Sequence, residues 1–379
     1  MNSRYDAVVV GAGPAGSAAA AVLAGRSRRV LLIEKDRFPR HKVCGEFLSS
    51  SATASLERLG MRDAIAACCP EKIERGIVHL PGGARVPFRL SCPAIGLSRF
   101  VLDDLLARQA CRVGAETLFE TRVTSLERDS GEFVLRVAGP LPEEEIRTRS
   151  LIGAWGRWDS LDRTLARGFL TSRRRFVGWS REYVGDTAAL EGLVQLYVFP
   201  GGYCGLSRVE GGTANLAGVV AEKTRSRLGV GWDAVLAHAR ASNAGLEASL
   251  ARLTPASAGF LGTGPVFFTT KPPAENGILM AGDAAGVIDP FSGEGQASAL
   301  ASGILAAETI EQGLAGALPM EEVPLAYTRA WKRRFATRFA WSRVLRQMML
   351  TPTVGSIAAR LAGERVVSFA LKNLGARQA

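Results

Sequence analysis

The sequence predicts an α/β protein: a Rossmann-like nucleotide-binding domain, an α+β substrate part built on an antiparallel sheet, and helices at the C-terminal end. Three observations carry this. An apolar run at residues 7–10 leads into GAGPAG (11–16) and an alanine-rich stretch, and a second apolar run at 30–33 ends on Glu34. A second glycine-bearing turn, GDAAGVIDPFSGEG (282–295), lies far along the chain. Between them, residues 75–90 and 176–220 alternate apolar and polar positions with the period of half-buried strands.

The first run has two readings. Arg4 followed by the apolar stretch 7–24 superficially suits an export signal. Against this, Gly11, Gly13, Pro14 and Gly16 break the stretch, and a second strand ending in an acid follows it. The order strand, GxGxxG, helix, strand, acid suits dinucleotide binding. Gly11 permits the tight turn, Gly13 lets the backbone approach a pyrophosphate, and Gly16 allows close helix–strand packing. Pro14 and Ala15 open a helix whose free N–H groups and positive dipole end face the phosphates. Glu34, 23 residues after Gly11, is placed to accept the ribose hydroxyls, and Lys35 beside it belongs to the same site.

Residues 276–303 read as a buried strand, a turn at Gly282 and Asp283, a loop through Pro290, and a helix opened by Gly293 and Gly295. Asp283 at a strand end suits a polyol hydroxyl, and the N–H groups at the helix start suit negative charge on a reduced isoalloxazine ring. With both turns in view, the chain resembles the FAD-dependent group of p-hydroxybenzoate hydroxylase-like monooxygenases and geranylgeranyl reductases. FPRHKVCGEFLS (38–49) is similar to the KxCGG segment of the reductases, and YVFPGGYCGLSRVEGGTANLAGV (197–219) to their substrate-sheet hairpin. LSRFVLDDLLARQACRVGAE (97–116) is similar to the helix whose leading arginine contacts FAD. The resemblance implies FAD held by Gly11, Gly13, Gly16, Glu34, Arg99 and Asp283, with the flavin ring near Pro290, Gly293 and Gly295. Arg99 rests on the resemblance alone.

Two departures matter. Where the hydroxylases carry GADGxxSxxR, this chain reads GAWGRWDSLDR (153–163), with Trp155 in place of the aspartate and Gly156, Ser160 and Arg163 retained. An indole cannot accept hydrogen bonds as a carboxylate does. NAD(P)H as electron donor is therefore left open, beside a flavin reductase, a ferredoxin or the substrate itself. The WxWxIP signature of halogenase relatives is absent, which counts against halogenation.

The motifs divide the chain into a discontinuous FAD-binding domain (1–74, 98–165 and 273–318), a substrate sheet (75–97 and 166–272) and a basic helical region (319–379). The substrate is expected between the first two, where Trp179, Tyr197, Phe199, Tyr203 and Cys204 are pocket candidates. Cys44 and Glu46 are the catalytic candidates. By the resemblance Cys44 sits close to the isoalloxazine, to tune it or relay a proton; the alternative is a small buried hydrophobe. Glu46 serves as general acid or base if desolvation raises its pKa; the alternative is a charged loop residue. His41, between Arg40 and Lys42, is expected to face solvent.

From 323 to 363 there is no acidic residue, and Tyr327, Trp331, Phe335 and Phe339 recur at every fourth position. This basic amphipathic helix either touches a membrane surface or an acidic carrier protein, or packs its aromatic stripe on the core. The chain has 379 residues, 47% hydrophobic and 22% charged, with a net charge of +11. Six cysteines without a CxxC pair and three histidines give no basis for a structural metal or a disulfide framework, and suit a reducing cytoplasm. Nothing reads as a nucleic-acid motif. The expected partner is a small hydrophobic or aromatic substrate, free or carrier-borne. Hydroxylation comes first among the chemistries, with reduction or oxidation of a carbon–carbon double bond as the alternative. A non-catalytic flavoprotein adaptor at a membrane or carrier protein is the rival from another class.

Overall fold

A computed structural model describes residues 3–140, 144–172, 175–229 and 231–350. The first sheet is built on five parallel strands in the order β17 (Ile278–Met280), β9 (Glu144–Gly153), β1 (Ser3–Val10), β2 (Val30–Ile33) and β6 (Glu116–Leu118). β16 (Ala274–Glu275) pairs antiparallel with β17, and the hairpin of β7 (Arg122–Asp129) and β8 (Glu132–Ala138) joins through β9. All four side chains of β2 and residues 7–10 of β1 are buried, as expected of parallel strands covered on both faces.

The second sheet runs β14 (Leu253–Pro255), β10 (Phe176–Gly185), β13 (Ala214–Ala221), β12 (Gly202–Arg208), β11 (Leu193–Phe199), β4 (Glu71–His79), β5 (Arg85–Gly96) and β3 (Phe47–Leu48), with β15 (Leu261–Val266) on β10. Its pairs are antiparallel except β4 with β11. At that parallel junction the two separated stretches of sequence fuse into one sheet.

Helices fill the remaining layers. α1 (Pro14–Ala24) and α9 (Gly295–Leu314) lie together against the first sheet, with α4 (Arg99–Arg112) beside α1. The contact between α1 and α9 needs glycine: a Cβ on Gly303 would stand 2.0 Å from the Ala15 carbonyl oxygen. α2 (Thr53–Arg58), α3 (Arg62–Ala67) and α5 (Ser160–Thr164) are short connectors. α6 (Glu222–Leu228), α7 (Trp232–Ser242) and α8 (Ala244–Leu250) belong to the second sheet's side.

α10 (Val323–Leu350) takes the packing alternative for its aromatic stripe. Tyr327, Trp331, Phe335 and Phe339 are buried in the core of the first sheet, and the Tyr327 hydroxyl donates to the Met280 carbonyl at 2.7 Å. The aromatic face is thus covered, and Arg329, Lys332, Arg333 and Arg343 remain exposed on the outside. Residues 351–379 of the basic region lie outside the described residues. No helix among the described residues is long and apolar enough to cross a membrane.

Candidate cofactor and substrate site

The loops that leave the parallel strands at their C-terminal ends open onto one cavity of about 480 Å³, roofed by the second sheet. Binding at that edge is the rule for open α/β sheets. Gly13, Pro14 and Ala15 come from the end of β1, Ala154, Gly156 and Arg157 from the end of β9, and Gly282 and Asp283 from the end of β17. The segment from Pro290 to Gln296 and the 42–51 loop complete that side. A smaller recess of about 60 Å³ adjoins it through Gly13, Lys42 and Ala154, and is lined by Gly11, Glu34, Lys35 and Arg40.

Two helices begin at the cavity with no side-chain cap: α1, with Gly13 at its N-cap, and α9, with Glu294. Their leading N–H groups are therefore free for a ligand, and each helix end carries partial positive charge. Gly16 packs so tightly that a Cβ would stand 1.8 Å from the Gly11 carbonyl oxygen. Gly13, by contrast, leaves open space, with only an Arg99 guanidinium nitrogen 3.8 Å from a Cβ placed there. Gly293 adopts φ +67°, the left-handed conformation that ends the tight turn Pro290–Ser292 before α9 starts at Gly295.

Glu34 is buried at the end of β2. Its Oε2 accepts the Ala12 N–H at 2.7 Å and its Oε1 the Asp36 N–H at 3.0 Å, which ties the acid to the glycine turn. Lys35 pairs with Asp159 at 3.4 Å on the rim of the smaller recess. Arg99 starts α4 behind the capping residue Ser98, and Asp103 one turn on holds its guanidinium with contacts of 2.6 and 2.7 Å. Burial opposes the Arg99 charge, but the Asp103 carboxylate more than offsets this and raises its pKa. Asp283 is half-buried in the cavity wall, 3.6 Å from Arg157 Nε.

Cys44 and Glu46 both line the cavity. The Cys44 Sγ accepts the Glu46 N–H at 3.4 Å and the Gln296 amide at 3.6 Å. Glu46 is buried, with Oε1 accepting the Arg99 N–H at 2.9 Å and Oε2 without a partner. Burial pushes its pKa up to about 8 even though the Arg99 N–H favours the ionised form, and the Glu182 and Glu210 carboxylates add to the rise. Glu46 is therefore a protonated acid at neutral pH.

Of the five pocket candidates, only Tyr203 turns its side chain to the cavity; Trp179 borders it but packs its indole with Tyr197, Phe199 and Cys204. These four face the opposite side of the sheet, Trp179 joined to Cys204 and Tyr197 through the register at Gly218, in a cluster with Val235 and Leu246 of α7 and α8. The Tyr197 hydroxyl donates to Ser249 at 2.7 Å, and its ring stacks on His79 with centroids 4.7 Å apart. Burial pushes the Cys204 thiol up. Strand alternation is the reason: when Tyr203 faces the cavity, Cys204 beside it must face away. The positions that do face the cavity are smaller, including Val194 and Leu196 on β11, Gly205 on β12 and Ala217 on β13.

Several residues of the site carry no sequence signal. Lys42 stands where the two recesses meet, and burial together with Arg99 and Arg40 pushes its ammonium down to about 8. Lys271 is buried and donates to the carbonyls of Arg157 and, at 2.8 Å, Asp283; burial pushes it to about 8 as well. Arg167 is almost wholly buried and donates to Asp162 at 3.0 Å, Ala284 O at 3.0 Å and Pro272 O at 3.1 Å. Trp155 is buried, and its indole N–H donates to the same Asp162 at 3.2 Å. The acid missing at 155 thus has a neighbour at 162, which serves packing and α5 capping. The DSLD spacing of a capping box was the available signal.

The site fits FAD. One uncapped helix and Glu34 would serve the nucleotide half, Arg99 and Lys42 would bring positive charge to the phosphates, and a second uncapped helix also opens onto the cavity. Among the described residues no group of three His, Cys, Asp or Glu side chains is placed to hold a metal ion. Residues 4–177 match the FAD binding domain family. The menaquinone reductase of Mycolicibacterium smegmatis is 29% identical to this chain, over 99% of the chain and 92% of the relative. The digeranylgeranylglycerophospholipid reductase of Methanocaldococcus jannaschii is 28% identical, over 88% of this chain and 84% of its own. The flavin-dependent brominase Bmp2 superposes with a TM-score of 0.82 over 98% of this chain and 94% of its own, at 20% identity, a likeness of fold alone.

Proposed function

We propose, from the premise that this chain is an FAD-dependent oxidoreductase whose FAD binding domain spans residues 4–177, that it reduces a carbon–carbon double bond in an apolar, isoprenoid-bearing substrate. The carrying observation is Glu46, a protonated carboxylic acid on the cavity wall with an unpartnered Oε2. Similarity to proteins named menaquinone reductase, over 99% of this chain, and digeranylgeranylglycerophospholipid reductase, over 88%, supports the same reading.

Bound FAD supplies the two-electron chemistry, transfer of a hydride to carbon. The chain supplies the rest. Glu46 gives the proton of its carboxyl to the other alkene carbon, so that one hydride and one proton add across the bond, and the carboxylate left behind is reprotonated from solvent. The Arg99 N–H holds Glu46 in place through Oε1, while Oε2 is buried without a partner, so the carboxyl reaches the substrate by a turn of its side chain. Cys44, bonded to the Glu46 N–H and Gln296, orders the same loop. Val194, Leu196, Gly205 and Ala217 give a smooth apolar roof that excludes water from the reacting bond. Hydroxylation, placed first on sequence, gains no such residue from the cavity.

Reduced holoprotein incubated anaerobically in D2O with a menaquinone or a geranylgeranyl lipid tests this. The product is expected to carry two added hydrogens, both deuterium, because the hydrogen held by the reduced flavin and the carboxyl proton of Glu46 both exchange with solvent. A product carrying an added oxygen after air is admitted, and none before, overturns the proposal.

A further inference from the structure

The second half of α10 presents Arg338, Ser342 and Arg346 on one stripe, and each meets the segment joining β17 to α9. Arg346 Nη1 stands 3.7 Å from Asp289 Oδ2. Ser342 Oγ accepts the Asp289 N–H at 2.9 Å, and Arg338 Nη1 stands 3.5 Å from Glu294 Oε2. Asp289 and Glu294 are the two ends of the turn whose inner residues, Pro290 to Gly293, line the cavity. None of the three helix residues lines it.

Asp289 is also the link to the second sheet. Its Oδ1 accepts the Tyr203 hydroxyl and, at 3.0 Å, the Phe291 N–H, while the Tyr203 oxygen accepts that same N–H at 3.0 Å. Its Oδ2 has no hydrogen-bond partner, and Arg346 is its counter-charge. The Arg346 guanidinium lies 5.0 Å from the Phe268 ring centroid, so helix, turn and sheet meet at one point. Burying a carboxylate is costly unless it is paired, and the arginines are the counter-charges of the two acids. Trp331, Phe335 and Phe339 root the turns that lead into this stripe in the core. Donors at a helix start act on a developing charge only if held to within about half an ångström.

We propose that α10 sets the flavin-side wall of the cofactor site from behind: Arg346, Ser342 and Arg338 are positioning residues that fix the 290–293 turn and the start of α9 through Asp289 and Glu294, and fix Tyr203 through Asp289. This rests on FAD binding alone and is independent of which substrate is reduced.

The test uses the full-length holoprotein and variants Arg346→Met, Arg346→Lys, Ser342→Ala and the pair Arg346→Met/Asp289→Asn. The readouts are the FAD dissociation constant, the flavin midpoint potential and the apoprotein melting temperature. Arg346→Met is expected to weaken FAD about tenfold and to shift the potential, with Arg346→Lys restoring most of both. The double variant is expected to lose little more than Arg346→Met alone, because the two side chains act as one unit. If Arg346→Met does not fold, Ser342→Ala, which removes one acceptor only, is expected to change FAD affinity and potential in the same directions by less. A lowered melting temperature with FAD affinity and potential at their native values, in either variant, overturns the proposal. So does a lysine variant no better than the methionine one.

Discussion

Glu46 accepts the backbone N–H of Arg99 at 2.9 Å, so the acid on the cavity wall and the arginine facing the glycine turn are fixed by one hydrogen bond. Arg99 turns its guanidinium toward Gly13, 3.8 Å from a Cβ placed there, and its main chain toward the acid. The start of α4 therefore sets both halves of the site.

Glu46→Gln is expected to keep FAD and to lower the rate of alkene reduction about a hundredfold, the usual scale for a lost general acid. In the native protein the rate falls as pH rises through about 8, where Glu46 loses its proton. Single-turnover rates across pH check both, and a glutamine variant with the same pH profile removes Glu46 from the role. Linkage gives a second reading. Because the folded pKa is raised, the native state loses stability relative to the unfolded one as pH climbs from the ordinary carboxylate range to about 8. Glu46→Gln should flatten that part of the stability profile.

Lys42 carries its charge below about 8 and loses it above. FAD affinity is expected to fall as pH rises through that value, and Lys42→Met to weaken binding about tenfold at pH 7 while damping the pH dependence. Titration of apoprotein with FAD at several pH values measures this; an unchanged slope in the variant contradicts it.

Gly303→Ala places a methyl 2.0 Å from the Ala15 carbonyl oxygen unless α9 shifts away from α1. The expected cost is about 1–3 kcal/mol of stability, with weaker FAD binding because both uncapped helix ends move. Melting curves with and without FAD report the two effects separately.

Ala217→Phe fills the space under the cavity roof and is expected to raise the substrate KM about tenfold or more with FAD affinity unchanged. Tyr197→Phe, on the other side of the same sheet, removes only the bond to Ser249 and should leave KM alone. Equal effects from the two would contradict the face assigned to each.

What the sequence revealed is local chain geometry. GAGPAG and GDAAGVIDPFSGEG constrain their own backbone, so turn, helix start and cavity could be read together, and so could the acid at β2. The facing of Trp179, Tyr197, Phe199 and Cys204 was illegible, because moving a strand register by one residue turns every side chain to the other face. Large aromatic residues drew attention to the layer against α7 and α8, whereas the ligand side is lined by Gly205 and Ala217. Lys42, Lys271, Arg167 and Arg346 acquire meaning only from partners distant in sequence, such as Asp289 for Arg346. The aromatic stripe of α10 was legible as a stripe, but its burial depended on the core it meets.

The most direct measurement follows the flavin absorbance when photoreduced holoprotein is mixed, without oxygen, with a menaquinone or a geranylgeranyl lipid. The oxidised spectrum should return in step with formation of a product bearing two more hydrogens, and should return slowly in Glu46→Gln. A flavin that stays reduced until air enters, then yields an oxygenated product, would contradict the account.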